Sequence, residues 1–140
     1  MLRDRIYDYY INKDFNCAES LLHAANDEYG FEIPKDAFKL VGGFGAGLGC
    51  GHTCGVLLSG VSAIGRACIE ERAHKTEKLK GYCTDYVNAF TKELGSENCS
   101  ELMAKYKKED VRCLNTVLMA ADVLEKIMSE IQKPSLEEPK

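Results

Sequence analysis

The sequence of 140 residues lacks the patterns that mark several large classes of protein. Its 18 basic and 22 acidic residues are mixed along the chain, and no basic patch is interleaved with aromatic residues, so we expect no nucleic-acid partner. The start, MLRDRIYDYY, is charged and aromatic rather than apolar, which argues against a secretory signal and favours a cytoplasmic location. The longest weakly polar stretch, residues 42–65, is interrupted by glycines and by His52, so we expect no membrane insertion.

Several short chemical motifs are also missing. There is no C-x-x-C pair of the thioredoxin or zinc-ribbon kind, and no C-x-x-C-H that would attach a c-type haem. The glycine-rich stretch GGFGAGLG at 42–49 does not fit G-x-G-x-x-G, and no G-K-[ST] follows it. A nucleotide-binding site is therefore not predicted.

What the sequence does contain is an unusual number of cysteines. In a cytoplasmic protein thiols are expected to be reduced, so this richness favours metal ligation or redox chemistry over a framework of structural disulfides. The alternative is that some cysteines serve as small buried apolar residues. The seven are Cys17, Cys50, Cys54, Cys68, Cys83, Cys99 and Cys113.

Periodic apolar residues and helix-capping residues predict an all-α fold, since no segment shows the alternation of a β-strand. Asn16, with Glu19 three residues later, predicts a capped helix that ends at Gly30. We expect a compact bundle of about five to seven helices in one domain over residues 1–130, followed by a disordered tail over 131–140. The other predicted helices cover 2–13, begin at Pro34, cover 50–72, cover 75–94 up to Gly95, begin after Asn98, and begin after Asp110.

The helix predicted over 50–72 carries small residues at every fourth position, which places them on one face. Glycine costs a helix about 1 kcal/mol relative to alanine, so such a stripe is useful only where another backbone packs closely against it. We therefore expect this glycine-rich and small-residue-rich helix to be the central one. The stripe consists of Gly51, Gly55, Ser59, Ala63 and Ala67.

Three cysteines stand at predicted helix starts. Cys17 and Cys99 directly follow their asparagine caps, and Cys113 lies in the turn after Asp110. The free N–H groups and the positive end of the helix dipole stabilise a thiolate at such positions. We therefore expect these thiols to ionise easily.

Cys50 and Cys54 are predicted to lie one turn apart on the same face of the central helix, about 6 Å apart along its axis. Their side chains would run roughly parallel, so joint ligation of a metal is easier than a direct disulfide. Cys68 lies about 21 Å further along an unbroken helix and cannot join the same site. Cys68 and Cys83 are therefore interpreted as core filling.

These residues leave two interpretations open. Four cysteines, with Cys50 as a fifth member, form a cluster assembled from several helix ends, or they are separate buried thiols in a tight bundle. The four are Cys17, Cys54, Cys99 and Cys113.

The glycine loop also has two interpretations. Because it precedes a helix, its N–H groups could hold an anion or a sulfur cluster at Gly45, Gly47, Gly49 and Gly55. The alternative, which we favour, is that glycine permits a tight turn and close approach of two helices.

The cysteines and their surroundings resemble a known family. The stretches FNCAESLL, GGFGAGLG, CGVLLSG, NCSEL and CLNTV, spread over about residues 5–128, resemble the redox-active proteins named the C_GCAxxG_C_C family. Position by position, the resemblance implies that its four cysteines are Cys17, Cys54, Cys99 and Cys113. Val56 and Ser59 stand where the family's motif has alanine and glycine. The resemblance further implies redox activity, with an oxidoreductase or a transporter component as partner.

The predicted function is redox chemistry, or metal binding, at this cluster. In the thiol version Cys54 attacks and Cys17, Cys99 or Cys113 resolves the intermediate. In the metal version these four, with Cys50, hold an iron–sulfur cluster or zinc. The protein is then an oxidoreductase or an accessory protein of one, and it could form a homo-oligomer. The alternatives are a non-enzymatic helical interaction module with structural cysteines and a metal carrier.

Overall fold

The computed structural model describes residues 1–132, and over this range it is all-α, as predicted. The five α-helices are α1 (Cys17–Tyr29), α2 (Gly55–Cys68), α3 (Leu79–Leu94), α4 (Cys99–Tyr106) and α5 (Leu114–Ile131). Shorter 3₁₀ or π turns cover Leu2–Arg5, Asp8–Asn12, Lys35–Phe44, Gly47–Gly51 and Ala73–Lys75. Apart from two isolated bridges, the part of the chain that the structure describes forms no β-structure.

The ends of α1 are those that its capping residues predict. The Asn16 side chain accepts a hydrogen bond from the Glu19 N–H at 2.9 Å, and the Glu19 carboxylate accepts one from the Asn16 N–H at 3.0 Å. This reciprocal pair satisfies two of the N–H groups that a helix start leaves free. The helix ends at Gly30, whose φ of +63° is the left-handed conformation that glycine adopts readily.

Helix α2 is the central helix, since it packs against α1, α3 and α5. Gly55, Ser59 and Ala63 of the predicted stripe are buried on it. Its predicted start at Cys50 is wrong, however, because the helix begins only at Gly55. Upstream, Leu48 and Gly49 have positive φ, a conformation that an α-helix cannot contain.

A second close approach to α2 involves an aromatic ring rather than a backbone. Tyr86 of α3 is fully buried against Gly60, and its hydroxyl donates a hydrogen bond to the Val56 carbonyl at 2.7 Å. A Cβ at position 60 would overlap the Tyr86 ring. Gly60 thus fixes how closely α2 and α3 pack, although it lies outside the stripe that the sequence analysis identified.

Two other predicted helix starts need correction. Helix α3 begins at Leu79 rather than at residue 75. Helix α5 begins at Leu114, so Asp110 does not cap it. Residues 108–112 instead form a tight turn in which the Lys108 and Arg112 backbones bond to each other and Arg112 has a φ of +52°. By contrast, α4 begins directly after Asn98, as predicted.

The N-terminal segment is helical where a helix was predicted over 2–13, but as a 3₁₀ turn followed by a π turn. It buries Leu2, Ile6 and Tyr10 in the core. The Leu2 N–H donates to the Glu125 carboxylate of α5 at 2.6 Å, which ties the two ends of the described chain together. The helix predicted from Pro34 is present as the 3₁₀ segment Lys35–Phe44.

An aromatic stack covers one side of α1. The His23 ring lies between Phe38, at 3.7 Å between ring centroids, and Tyr9, at 4.8 Å. Burial in this stack lowers the His23 pKa, while the charges of Asp27 and Glu19 oppose that change. The stack links the N-terminal segment to the 3₁₀ segment that precedes the glycine loop.

Two predictions concern the membrane and the chain end. Over residues 1–132, no helix combines the length and apolar character that crossing a membrane requires. The disordered tail predicted over 131–140 falls, apart from Ile131 and Gln132, outside the described residues.

Candidate functional site

A single cavity of about 190 Å³ brings together cysteines that are far apart in the sequence. It lies where α1, α2, α4 and α5 begin. Cys17 and Cys99 are the first residues of α1 and α4, while Cys54 and Cys113 immediately precede α2 and α5. All four side chains line this cavity, and all four are free thiols.

Cys113 is the common neighbour of the other three cysteines. Its charge contributes to raising the pKa of Cys17, of Cys54 and of Cys99. The charge of Cys99 also contributes to raising the pKa of Cys54. The charge of Cys54 in turn contributes to raising the pKa of Cys17. The four thiols therefore form one electrostatically connected group.

Burial, rather than the helix starts, controls the pKa of Cys54 and of Cys17. Desolvation raises the pKa of Cys54 to about 11, although the backbone N–H groups of Val56 and Leu57 oppose the rise. Desolvation likewise raises the pKa of Cys17 to about 12, against the N–H groups of Ala46 and Ala18. The expectation that Cys17 ionises easily is therefore wrong.

The same correction applies to Cys99. Burial is the largest cause that raises its pKa, Cys113 adds to the effect, and the nearby positive charge of Lys107 opposes it. Its thiol points toward the Met103 sulfur at 3.5 Å. The position of Cys99 at the start of α4 therefore does not outweigh the loss of water around its sulfur.

Close packing around two glycines positions the thiols of Cys17 and Cys99. A Cβ at Gly55 would lie 2.7 Å from the Phe44 carbonyl oxygen and 3.0 Å from the Cys17 sulfur. A Cβ at Gly47, where φ is +61°, would lie 2.5 Å from the Cys99 Cβ. Glycine is therefore required at both positions to let Cys17 and Cys99 reach the cavity.

The predicted cofactor-binding glycines occupy different surroundings. Of Gly45, Gly47, Gly49 and Gly55, only Gly55 lines the cavity. A Cβ at Gly45 would lie 2.5 Å from the Asn16 side-chain nitrogen, so this glycine also permits close packing. Gly49 faces open space. The geometry thus supports the packing interpretation that we favoured for the loop.

The three remaining cysteines lie elsewhere. Cys50 is exposed in the turn Gly47–Gly51 and does not line the cavity, so the prediction that it shares a helix face with Cys54 is wrong. Cys68 and Cys83 are half-buried and pack against the core, near enough for Cys68 to raise the pKa of Cys83. They occupy the core-filling role that was predicted for them.

Sequence reasoning missed the polar residues around the thiols. The Cys113 N–H donates to the Tyr10 hydroxyl at 3.1 Å. The Arg112 guanidinium lies 4.6 Å from the Tyr10 ring centre and donates to the Tyr10 carbonyl at 3.1 Å. Lys107 also lines the cavity, although its lysine-rich stretch is typical of a solvated face. Arg112 directly precedes Cys113, and this adjacency is the one sequence feature that could have identified Arg112 as a cation near the thiols.

Thr116 is a further lining residue that the sequence does not reveal. It is 4% exposed, and its hydroxyl has no hydrogen-bond partner within the described part of the chain. A buried polar group without a partner costs about 1–3 kcal/mol. The wall of the cavity therefore holds a hydrogen-bonding group that has no partner among residues 1–132.

The thiols are not arranged as a ready metal site. Among residues 1–132, no three cysteine, histidine, aspartate or glutamate side chains are grouped so that they could hold a metal ion. The predicted ligand set of Cys17, Cys54, Cys99, Cys113 and Cys50 therefore does not fit iron–sulfur or zinc in this conformation.

Comparison with known proteins identifies a family but no individual relative. The family model described as "Putative redox-active protein (C_GCAxxG_C_C)" matches residues 15–127, a range that contains all four cavity cysteines. Searches of curated proteins and of solved structures find no significant match.

Proposed function

Since the chain belongs to the C_GCAxxG_C_C family, we propose that its cavity cysteines cycle between a dithiol and a disulfide. The observation that carries the proposal is the meeting of Cys17, Cys54, Cys99 and Cys113 on one cavity wall. Cysteine is a small residue that can fill space anywhere, but four free thiols from four different helix starts in one cavity have a shared chemical use.

The reaction we propose is thiol–disulfide exchange. One cavity thiolate attacks a disulfide of a reaction partner, forms a mixed disulfide and releases the first partner thiol. A second cavity thiol then attacks the cysteine sulfur of the mixed disulfide, forms an internal disulfide and releases the second partner thiol. Two cavity thiols are oxidised, one partner disulfide is reduced, and the two thiol protons pass to the two departing thiolates.

We assign the attack to Cys113 rather than to Cys54, the residue that the sequence analysis favoured. Cys113 is half-buried, whereas Cys54 is 5% exposed with a pKa raised to about 11. Cys113 also lines the same cavity as the other three thiols, so we assign the resolving step to one of them. Its backbone is held by the Tyr10 hydroxyl, which fixes the start of α5 at the cavity.

The raised pKa of the resolving thiols has a kinetic consequence. Cys17 and Cys54 hold their protons at neutral pH, so the second step requires their deprotonation and accelerates as pH rises. We therefore expect the mixed disulfide to accumulate at neutral pH and to resolve faster in alkaline solution.

The proposal is tested by equilibrating the protein anaerobically in thiol–disulfide buffers of graded potential and counting thiols at each. We expect a reversible loss of two thiols per chain, with Cys113→Ser abolishing it. The matched control is Cys83→Ser, which removes a half-buried thiol away from the cavity and should leave the loss unchanged. No reversible loss of thiols in the wild type would contradict the proposal and favour a non-enzymatic interaction module.

A further inference from the structure

The cavity has two parts of different character. Its interior is apolar apart from the thiols and a few hydroxyl and amide groups, and burial there dominates the pKa of Cys17 and Cys54. Two cations, Lys107 and Arg112, belong to its wall but keep much of their surface exposed. The cations therefore mark the mouth, and the thiols lie deeper.

The charge at the mouth is of one sign. No aspartate or glutamate among the described residues lines the cavity. Arg112 has one acidic neighbour, Asp14, whose carboxylate lies 3.7 Å away and is almost fully exposed, so it neutralises the guanidinium only weakly. Lys107 forms no ion pair within residues 1–132, and its charge reaches the Cys99 thiol.

The size of the cavity limits what can enter. A volume of about 190 Å³ corresponds to about six water molecules at liquid density. That is too small for a folded segment of a partner protein and below the usual range of drug-sized sites. A small molecule, or one end of it, is the ligand that fits.

We propose that the cavity takes a small carboxylate-bearing disulfide as its oxidising substrate, with the carboxylate at Lys107 and Arg112 and the sulfurs against the thiols. The inference rests on the proposed dithiol–disulfide function and names the substrate class of that site. A cationic mouth over an apolar, thiol-lined interior favours a ligand that is anionic at one end and has soft sulfur at the other.

The step balances with this substrate alone. The Cys113 thiolate attacks one sulfur of the substrate, R–S–S–R, to give Cys113–S–S–R and one RSH after protonation. A second cavity thiol attacks the Cys113 sulfur, which forms the internal disulfide and releases the second RSH. Two cysteine thiols are oxidised as one substrate disulfide is reduced.

Thr116 gives the ligand a polar contact from a buried part of the cavity wall. Its hydroxyl, which lacks a partner among residues 1–132, lies in the wall of the same cavity as the thiols. A substrate that offers it an acceptor removes the cost of that unpaired group, so binding gains from a contact that the free protein cannot make.

The experiment compares three small disulfides of similar length and different charge. These are 3,3′-dithiodipropionate, which is dianionic, bis(2-hydroxyethyl) disulfide, which is neutral, and cystamine, which is dicationic. Each reagent is mixed rapidly with the reduced protein, the reaction is quenched with acid, and mass spectrometry gives the rate of mixed-disulfide formation. Each rate is then divided by the rate at which the same reagent reacts with 2-mercaptoethanol. We expect the normalised rate for dithiodipropionate to exceed that for the neutral disulfide by about tenfold at about 0.02 M salt. The two normalised rates should become equal at about 0.5 M salt.

Charge-removing variants test the mouth. Lys107→Gln and Arg112→Gln should each lower the ratio of the dithiodipropionate rate to the neutral-disulfide rate by about threefold. Lys92→Gln, which removes an exposed cation from α3 outside the cavity, is the matched control. Because Arg112 also holds the Tyr10 carbonyl, Lys107→Gln keeps the test decisive should the arginine variant fold poorly.

The outcomes separate the two proposals. Charge-dependent rates that fall in the two mouth variants support the substrate class. Equal normalised rates for all three disulfides, or a preference for cystamine, overturn it while leaving the dithiol–disulfide function intact. If none of the three reagents oxidises the cavity thiols, the proposed function itself fails.

Discussion

The ionisation of Cys54 makes a quantitative prediction about its reactivity. Burial raises its pKa from the ordinary 9.0 to about 11. Only the thiolate reacts with iodoacetamide, so at pH 7 its reactive fraction is about a hundredfold lower than that of an ordinary thiol. The rate should then rise about tenfold per pH unit up to about pH 11, whereas in denaturant it should level off near pH 9.

The assay is pulse alkylation with light and heavy iodoacetamide, followed by peptide mass spectrometry. Native and denatured samples are compared at each pH, and circular dichroism verifies that the native sample stays folded. The exposed Cys50 serves as the internal reference for reagent access. A native rate for Cys54 that levels off at or below pH 9 would refute the argument that burial outweighs the start of α2.

The same shift has a consequence for stability, with a definite sign. The pKa of Cys54 in the folded protein lies above its pKa in the unfolded chain. Its contribution to the free energy of unfolding is therefore fully present below pH 9 and is lost as pH rises through 11. The loss from Cys54 alone is about 2–3 kcal/mol. The unfolding free energy of the wild type should therefore fall by that amount relative to Cys54→Ala between pH 9 and 11. Comparing the two proteins cancels the contribution of the other titrating groups, which they share. Cys54 makes no side-chain cap bond, so the alanine variant should still fold.

Further predictions concern the packing around α2 and the aromatic stack. Gly60→Ala should lower the unfolding free energy by about 1–3 kcal/mol because its Cβ overlaps the buried Tyr86 ring. Gly81→Ala, in α3 with open space around its Cβ, should raise it by about 0.5–1 kcal/mol, and equal effects of the two in urea unfolding would contradict this packing. Because the His23 pKa is lowered, the wild type should lose stability relative to His23→Phe as pH falls below 6.5. Parallel pH profiles for these two proteins would show that the Phe38 stack does not disfavour the charged ring.

Local sequence patterns were enough to predict both ends of α1, the end of α3 and the start of α4. Asn16 with Glu19, and the glycines at 30 and 95, act on backbone groups within a few residues, and the structure places helix ends there. Asn98 caps α4 as predicted, but the Glu101 carboxylate accepts from the Ser96 hydroxyl rather than completing a capping box. Such features are readable because their physical cause is local.

The start of α2 was mispredicted because glycine spacing does not distinguish a helix from a left-handed turn. Gly51 continues the four-residue stripe in the sequence but has a φ of +73° in a turn before the helix. Leu48 and Ala46 also adopt positive φ, which their residue types disfavour. Surrounding tertiary packing decides this conformation, and it cannot be read from spacing.

The chemistry of the cavity depended on tertiary structure still more. The four cysteines could be selected from the sequence, but their burial comes from several elements that pack over them. Desolvation grows with every such element, whereas the helix dipole acts from one, so the sequence predicted the wrong direction for the pKa of Cys17 and Cys99. Thr116 and Lys107 were missed for the same reason, since only the fold brings them to the cavity.

The most direct test of the account is to map the disulfide of the oxidised protein by mass spectrometry after equilibration with a mild disulfide oxidant. We expect one internal disulfide per chain that joins Cys113 to Cys17, Cys54 or Cys99. A disulfide that instead joins Cys68 to Cys83, or the absence of any internal disulfide under conditions that oxidise the exposed Cys50, would contradict it.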